Sequence, residues 1–192
     1  MGGRQQFVRW FSVVILASAF FTSSALPAQQ GTPPSTAGTH SGAGASPTSS
    51  KDELTLQTYA DHKSLVVSAA DLKSLSRVSV TIHNSHTNAD EEYSGVRLSV
   101  LLAKIGAPMG SELRGKALAN YVVATGSDGY KAVLALGEVD PSFHPGEVIV
   151  ADEMNGKALD AHSGPFKLVV TEDKRPARSV RNLTTIELKS AQ

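Results

Sequence analysis

The chain has 192 residues, no cysteine, and 18 basic against 18 acidic side chains. Without cysteine it can form no disulfide, no thiolate metal site and no thiol nucleophile, and the balanced charge gives no electrostatic reason to bind nucleic acid or an anionic membrane. Stability has to come from packing.

Arg4 and Arg9 precede an apolar stretch from Phe11 to Phe21, which runs out through Ser23, Ser24 and Ala25 to Leu26, Pro27 and Ala28. This order predicts a secretory signal peptide over 1–28, because the apolar stretch is shorter than the roughly 20 residues needed to span a bilayer and small residues follow it directly. The expected location is periplasmic or secreted, with no membrane association after cleavage. Removal of the leader takes two arginines and leaves 16 basic against 18 acidic residues.

Residues 29–50 consist of Gly, Ser, Thr, Ala, Pro and Gln, with His40 the one titratable side chain. Such a segment cannot bury enough apolar surface to offset its chain entropy, and it is expected to be a disordered linker. From residue 51 to residue 192 the pattern becomes periodic, which is one ordinary domain's worth of chain.

Within that domain, Leu54–Tyr59 and Leu65–Val67 read as short strands flanking a polar break at Asp61, His62 and Lys63. Ser68 with Asp71 three residues on has capping-box spacing and predicts a short helix over Ala69–Leu75. Arg77–His83 places Val78, Val80 and Ile82 on one face of a strand. The polar stretch between His83 and Tyr93 reads as a surface loop.

Leu98, Leu101, Leu102 and Ile105 recur at helical spacing and meet a stop signal at Gly106 and Pro108; a second helical patch is expected through Leu113–Ala119. Tyr121–Ala124 and Tyr130–Leu134 form a hairpin around Asp128 and Gly129, and Val148–Val150 starts another around Asn155 and Gly156. Phe166–Val170 and Thr185–Leu188 complete a set of about seven strands and two or three short helices. Strand runs punctuated by isolated helices predict an α+β fold with mixed β-sheets.

Four segments, in order, carry a resemblance: Tyr93–Leu102, Ser127–Tyr130, Gly164–Val170 and Ala177–Arg181. Together they resemble the oxidoreductase molybdopterin-binding domain family, whose fold is the sulfite oxidase-like one, and the chain is closest to short secreted members of it. In that family the corresponding elements read aromatic-x-Gly-Val-x-Leu at the start of a helix, Asp-Gly-Tyr at a turn, Gly-Pro-x-Arg-Leu-Val-Val in a strand, and basic-x-Val-basic before the last strand. The resemblance implies that Arg178, Ser179 and Arg181, with Asp128 and Tyr130, border a pterin site.

Two departures stand against a full carry-over. The cysteine that ligates molybdenum in catalytic members follows the strand equivalent to Arg77–His83, and the matching residues here are His83, Asn84, Ser85 and His86. Asn182 stands where the family often has tryptophan. The resemblance thus implies a molybdopterin as cofactor, while the missing thiolate argues that this chain carries none and has no catalytic residue of the family's kind. The leader agrees: Arg4 and Arg9 are separated by four residues, unlike a twin-arginine pair, and a chain threaded unfolded holds no cofactor.

The residues alone offer other readings. Arg175, Arg178 and Arg181 are either an anion site or a solvated basic turn pairing with Glu172 and Asp173. His83 and His86, followed by Asp90, Glu91 and Glu92, are either imidazole and carboxylate ligands for zinc, copper or nickel or a soluble loop. No Gly-x-Ser-x-Gly elbow occurs, which speaks against a serine hydrolase. The leading expectation is an exported binding module for a small anionic ligand or a protein partner, a periplasmic redox protein among them. The alternatives are a periplasmic molybdopterin-dependent oxidoreductase with atypical metal ligation, and a metal-binding protein using His83 and His86.

Overall fold

The computed structural model describes residues 52–192; the expected leader and linker, and Lys51, lie outside the described residues. Ten strands build two sheets. The first has the order β2-β1-β10-β5-β6, from β1 (Glu53–Thr58), β2 (Ser64–Ser68), β5 (Asn120–Gly126), β6 (Lys131–Ala135) and β10 (Leu183–Ser190). The second has the order β3-β4-β7-β8, from β3 (Arg77–Asn84), β4 (Ala89–Arg97), β7 (Val148–Met154) and β8 (Lys157–Ala158), with β9 (Lys167–Val170) also paired to β7. The β1–β10 pair is parallel and all the others are antiparallel, so the fold is α+β with a mixed sheet, as the sequence predicts.

Among the described residues are three short α-helices: α1 (Ala69–Lys73) packs against β2 and β4, α2 (Leu98–Lys104) against β4 and β7, and α3 (Leu136–Val139) against β5 and β6. The Ser68 hydroxyl accepts from the Asp71 amide while the Asp71 carboxylate accepts from the Ser68 amide, which is the predicted capping box. In α2 the predicted stripe is buried at Leu98, Leu101 and Leu102, and Gly106 takes the positive φ of 84° that ends the helix. The expected helix through Leu113–Ala119 is instead two 3-10 turns, Gly110–Glu112 and Gly115–Ala119, because the positive φ of Gly115 interrupts any longer helix.

The main core joins Leu54, Leu56, Ile186 and Leu134 of the first sheet to Val150, Leu168 and the helix leucines. A second apolar cluster, Tyr93, Ile149, Ala151 and Val169, lies on the other face of the second sheet with Val78, Val80 and Ile82 packed against it. Strand β7 is consequently buried on both faces over Val148–Asp152.

One expectation is corrected. The segment between His83 and Tyr93 is not a loop: β3 and β4 form a long hairpin with His83 opposite Asp90 and Asn84 opposite Ala89, and its turn is only Ser85–Asn88. Asn88 has φ 51°, and the Asn84 carboxamide accepts from the His86 amide at 2.9 Å. The residues at the hairpin end are mostly exposed, so the strand there has none of the apolar alternation that identifies a strand.

Candidate functional site

The β3–β4 hairpin and β9 place a chain of polar groups on the face that also holds the second apolar cluster. The Lys167 ammonium donates to the Tyr93 hydroxyl at 2.6 Å; Tyr93 donates to Glu91 at 2.7 Å; Glu91 accepts from the Asn84 carboxamide at 2.7 Å. The register explains the convergence. Glu91 and Tyr93 are two apart on β4 and share a face, while Lys167 lies opposite Ala151 on β7. Lys167 Nζ also stands 4.2 Å from the centre of the Tyr93 ring.

The environment shifts each member. Burial pushes the Lys167 ammonium below the ordinary lysine range, with the charge of Arg181 acting the same way and those of Glu91 and Asp160 opposing. Burial and the bond to Glu91 push the Tyr93 hydroxyl up, so it stays protonated and donates. Burial would raise Glu91, but the hydrogen bonds from Tyr93 and Asn84 outweigh it and the carboxyl is held down. Of these four residues the sequence marks out only Glu91, as a candidate carboxylate ligand beside His83 and His86, and gives Lys167, Tyr93 and Asn84 no site role. The available signal is a lysine inside the apolar strand Phe166–Val170 and a tyrosine within a strand, which alternation alone assigns to packing.

Beside this chain, the turn over 160–164 is fastened to the segment before β10. The Asp160 carboxylate accepts from the His162 and Ser163 amides at 3.1 and 2.9 Å, and the Asn182 carboxamide donates to the His162 carbonyl at 2.8 Å. Asn182 itself has φ 47°, a left-handed conformation that asparagine tolerates and tryptophan does not favour. Arg181 is exposed and touches His162 through its guanidinium and Nε2.

The residues marked out by sequence divide. Arg178 is not a free anion receptor: its guanidinium spans Asp173 at 2.6 and 2.9 Å and Glu138 at 2.8 Å. These bonds raise its already high pKa further. A phosphate at Arg178 would meet both carboxylates, so the arginine is a strut between α3 and the turn before β10. The solvated-turn reading foresaw a bond to Asp173; Glu138 comes from a distant part of the chain.

Ser179 accepts the Val170 amide at 3.3 Å and fastens β9. Asp128 caps the hairpin turn by accepting the Tyr130 amide at 2.9 Å, and the Tyr130 hydroxyl donates to the Ala177 carbonyl at 2.5 Å. These contacts tie the Asp128–Tyr130 turn to the Arg178 segment, an adjacency that sequence alone leaves open.

His83 and His86, the metal pair expected from sequence, stand at the end of the β3–β4 hairpin. His83 Nδ1 lies 2.8 Å from Asp90 on the face of the hairpin opposite Glu91, and His86 sits in the turn. Among the described residues no group of three or more His, Asp or Glu side chains is arranged to hold a metal ion. A groove of about 240 Å³ lined by Leu65, Val66, Leu75 and Lys104 lies at the β2 edge of the first sheet, and none of the residues above lines it.

The mixed two-sheet α+β domain is that of the sulfite oxidase-like molybdopterin-binding fold, as the family and structural matches bear out. The family model for the oxidoreductase molybdopterin binding domain matches residues 44–192, and the chain belongs to that family. Among solved structures it is similar to the sulfane dehydrogenase SoxCD from Paracoccus pantotrophus, with a TM-score of 0.56 and 23% identity. The likeness covers 73% of this chain and 39% of that one, and at this identity it concerns the fold. No curated protein matches.

The donor set decides how far the family's metal fits. No cysteine exists in the 192 residues, and Asn84, in the stretch His83–His86 that the resemblance matches to the metal-ligating cysteine, bonds Glu91. A thiolate-held molybdenum therefore has no protein ligand here, and one of the two basic residues expected at a pterin phosphate is committed to carboxylates.

Proposed function

We propose that this domain is an exported binding module on the molybdopterin-domain fold, without molybdenum redox chemistry, that receives a small anionic ligand between Lys167 and Arg181. The observation that carries this reading is the pairing of the cations. Among the described residues, Arg178 has two carboxylate partners, whereas neither Lys167 nor Arg181 has one within ion-pair distance. The half-buried Lys167 ammonium is bonded directly only to a neutral hydroxyl, with the charges of Glu91 and Asp160 acting from beyond ion-pair distance, and an oxyanion would give it a direct charged partner. The leader pattern supports placement in the periplasm or outside the cell, and the family's redox associations make a periplasmic redox protein the protein partner to test.

Calorimetric titration with inorganic phosphate and with sulfate tests the reading. The expected result is one site per chain whose affinity falls in Arg181→Ala and again in Lys167→Met. Binding that survives the double variant eliminates the site. Elemental analysis of protein from its native source gives the second check, since one molybdenum per chain overturns the redox-free part.

A further inference from the structure

We infer that Lys167 is a carbonyl-reactive amine, and that the ligand class of this cleft is a small aldehyde or 2-oxo acid whose anionic group faces Arg181. The inference deepens the proposed function and rests on it for the anion, but the amine chemistry stands on the polar chain alone. Nζ, the Tyr93 hydroxyl and the Glu91 carboxylate are joined by hydrogen bonds of 2.6 and 2.7 Å. Glu91 stays a carboxylate, so the ammonium gives its proton to solvent, and the free amine is left against the Tyr93 hydroxyl that Glu91 orients. Asn84 holds Glu91 in place at 2.7 Å.

The step balances without an oxidant or reductant. The amine lone pair forms the C–N bond to the ligand carbonyl, and one amine proton goes to the carbonyl oxygen to give the carbinolamine. A proton from solvent reaches the hydroxyl, the C–O bond breaks, water leaves, and a protonated imine remains, so the net change is ammonium plus carbonyl to protonated imine plus water. Nζ touches Tyr93 on β4, and the charges that act on it are those of Glu91 on β4, Asp160 in the turn over 160–164, and Arg181. Burial of Nζ favours the uncharged amine, which is the reactive form.

The experiment treats the full exported domain with glyoxylate or with propanal in the presence of cyanoborohydride, which reduces the imine to a stable secondary amine, and maps the adduct by peptide mass spectrometry. The expected result is labelling of Lys167 before the exposed lysines, with a rate that rises at a lower pH than theirs. Lys167→Arg should lose the adduct, and Tyr93→Phe should slow it roughly a hundredfold while phosphate binding persists. Arg181→Ala should remove the preference for glyoxylate over propanal. Equal labelling by both aldehydes without competition from phosphate supports the amine and overturns the anion cleft. Phosphate binding with Lys167 labelled no faster than Lys131 or Lys157 overturns this inference and leaves the anion cleft standing.

Discussion

Arg77 on β3 reaches across β4 to Asp152 on β7, its guanidinium meeting the carboxylate at 2.7 and 3.3 Å. Asp152 is the extra residue of a bulge: β4 advances from Ser94 to Gly95 while β7 advances from Glu153 to Ala151. The side chain of Asp152 is 3% exposed, so the arginine neutralises a buried charge at the point where the sheet bends.

That burial makes the pair asymmetric under mutation. Arg77→Met should lower unfolding free energy by about 3 kcal/mol in urea titrations, because it strands a buried carboxylate. The double variant Arg77→Met, Asp152→Leu should recover much of the loss. A single variant as stable as the parent would show that solvent already reaches Asp152.

Gly95 offers a steric test of the same bulge. A Cβ there would run into the Val150 carbonyl oxygen and the Ala151 Cα on β7, both backbone atoms that cannot rotate away. Gly95→Ala should cost about 3 kcal/mol, read from the same titrations. A cost below about 0.5 kcal/mol would mean that the strands are not so closely apposed.

Acid should weaken the Arg178 strut. The hydrogen bond from Arg178, partly offset by burial, holds Asp173 below its ordinary value. Burial raises Glu138, but the bonds from Arg178 and the Ala135 amide outweigh it and it too is held down. Depressed folded-state values contribute stability that is present above the ordinary carboxylate range and lost as pH falls through the folded values. The thermal stability lost in Arg178→Ala should therefore be full at pH 7, roughly 1 kcal/mol since the groups are partly exposed, and should shrink below about pH 4. A difference that stays constant down to pH 2 would rule out the linkage.

The hairpin end should be inert. His83 and Asp90 are both exposed, so replacing His83 and His86 together with alanine should change stability by less than about 0.5 kcal/mol. Equilibrium dialysis against zinc or copper should give the same uptake for parent and variant. Stoichiometric uptake lost in the variant would restore the metal reading.

Legibility in the sequence followed the reach of the physics. The capping box at Ser68, the leucine stripe of α2 and the Asp-Gly and Asn-Gly hairpins are local, because each depends on residues a few positions apart, and each stands where the pattern put it. The family resemblance rested on segments spread along the domain, and it carried the fold. What sequence could not deliver was pairing between distant segments. The pairing of Arg178 with Asp173 was within reach of the sequence but that with Glu138, 40 residues away, was not, and Lys167 looked like a strand residue because Tyr93 lies 74 residues away. The polar hairpin end was read as a loop because β4 there has little apolar side to reveal its period.

The middle position of the first sheet belongs to β10, the last strand of the domain, and its parallel neighbour is β1, the first. During synthesis, β1 and β2 must therefore wait without their β10 neighbour until Leu183–Ser190 has emerged. Such wiring makes closure of the first sheet a late, long-range event, since its central strand joins the two ends of the domain.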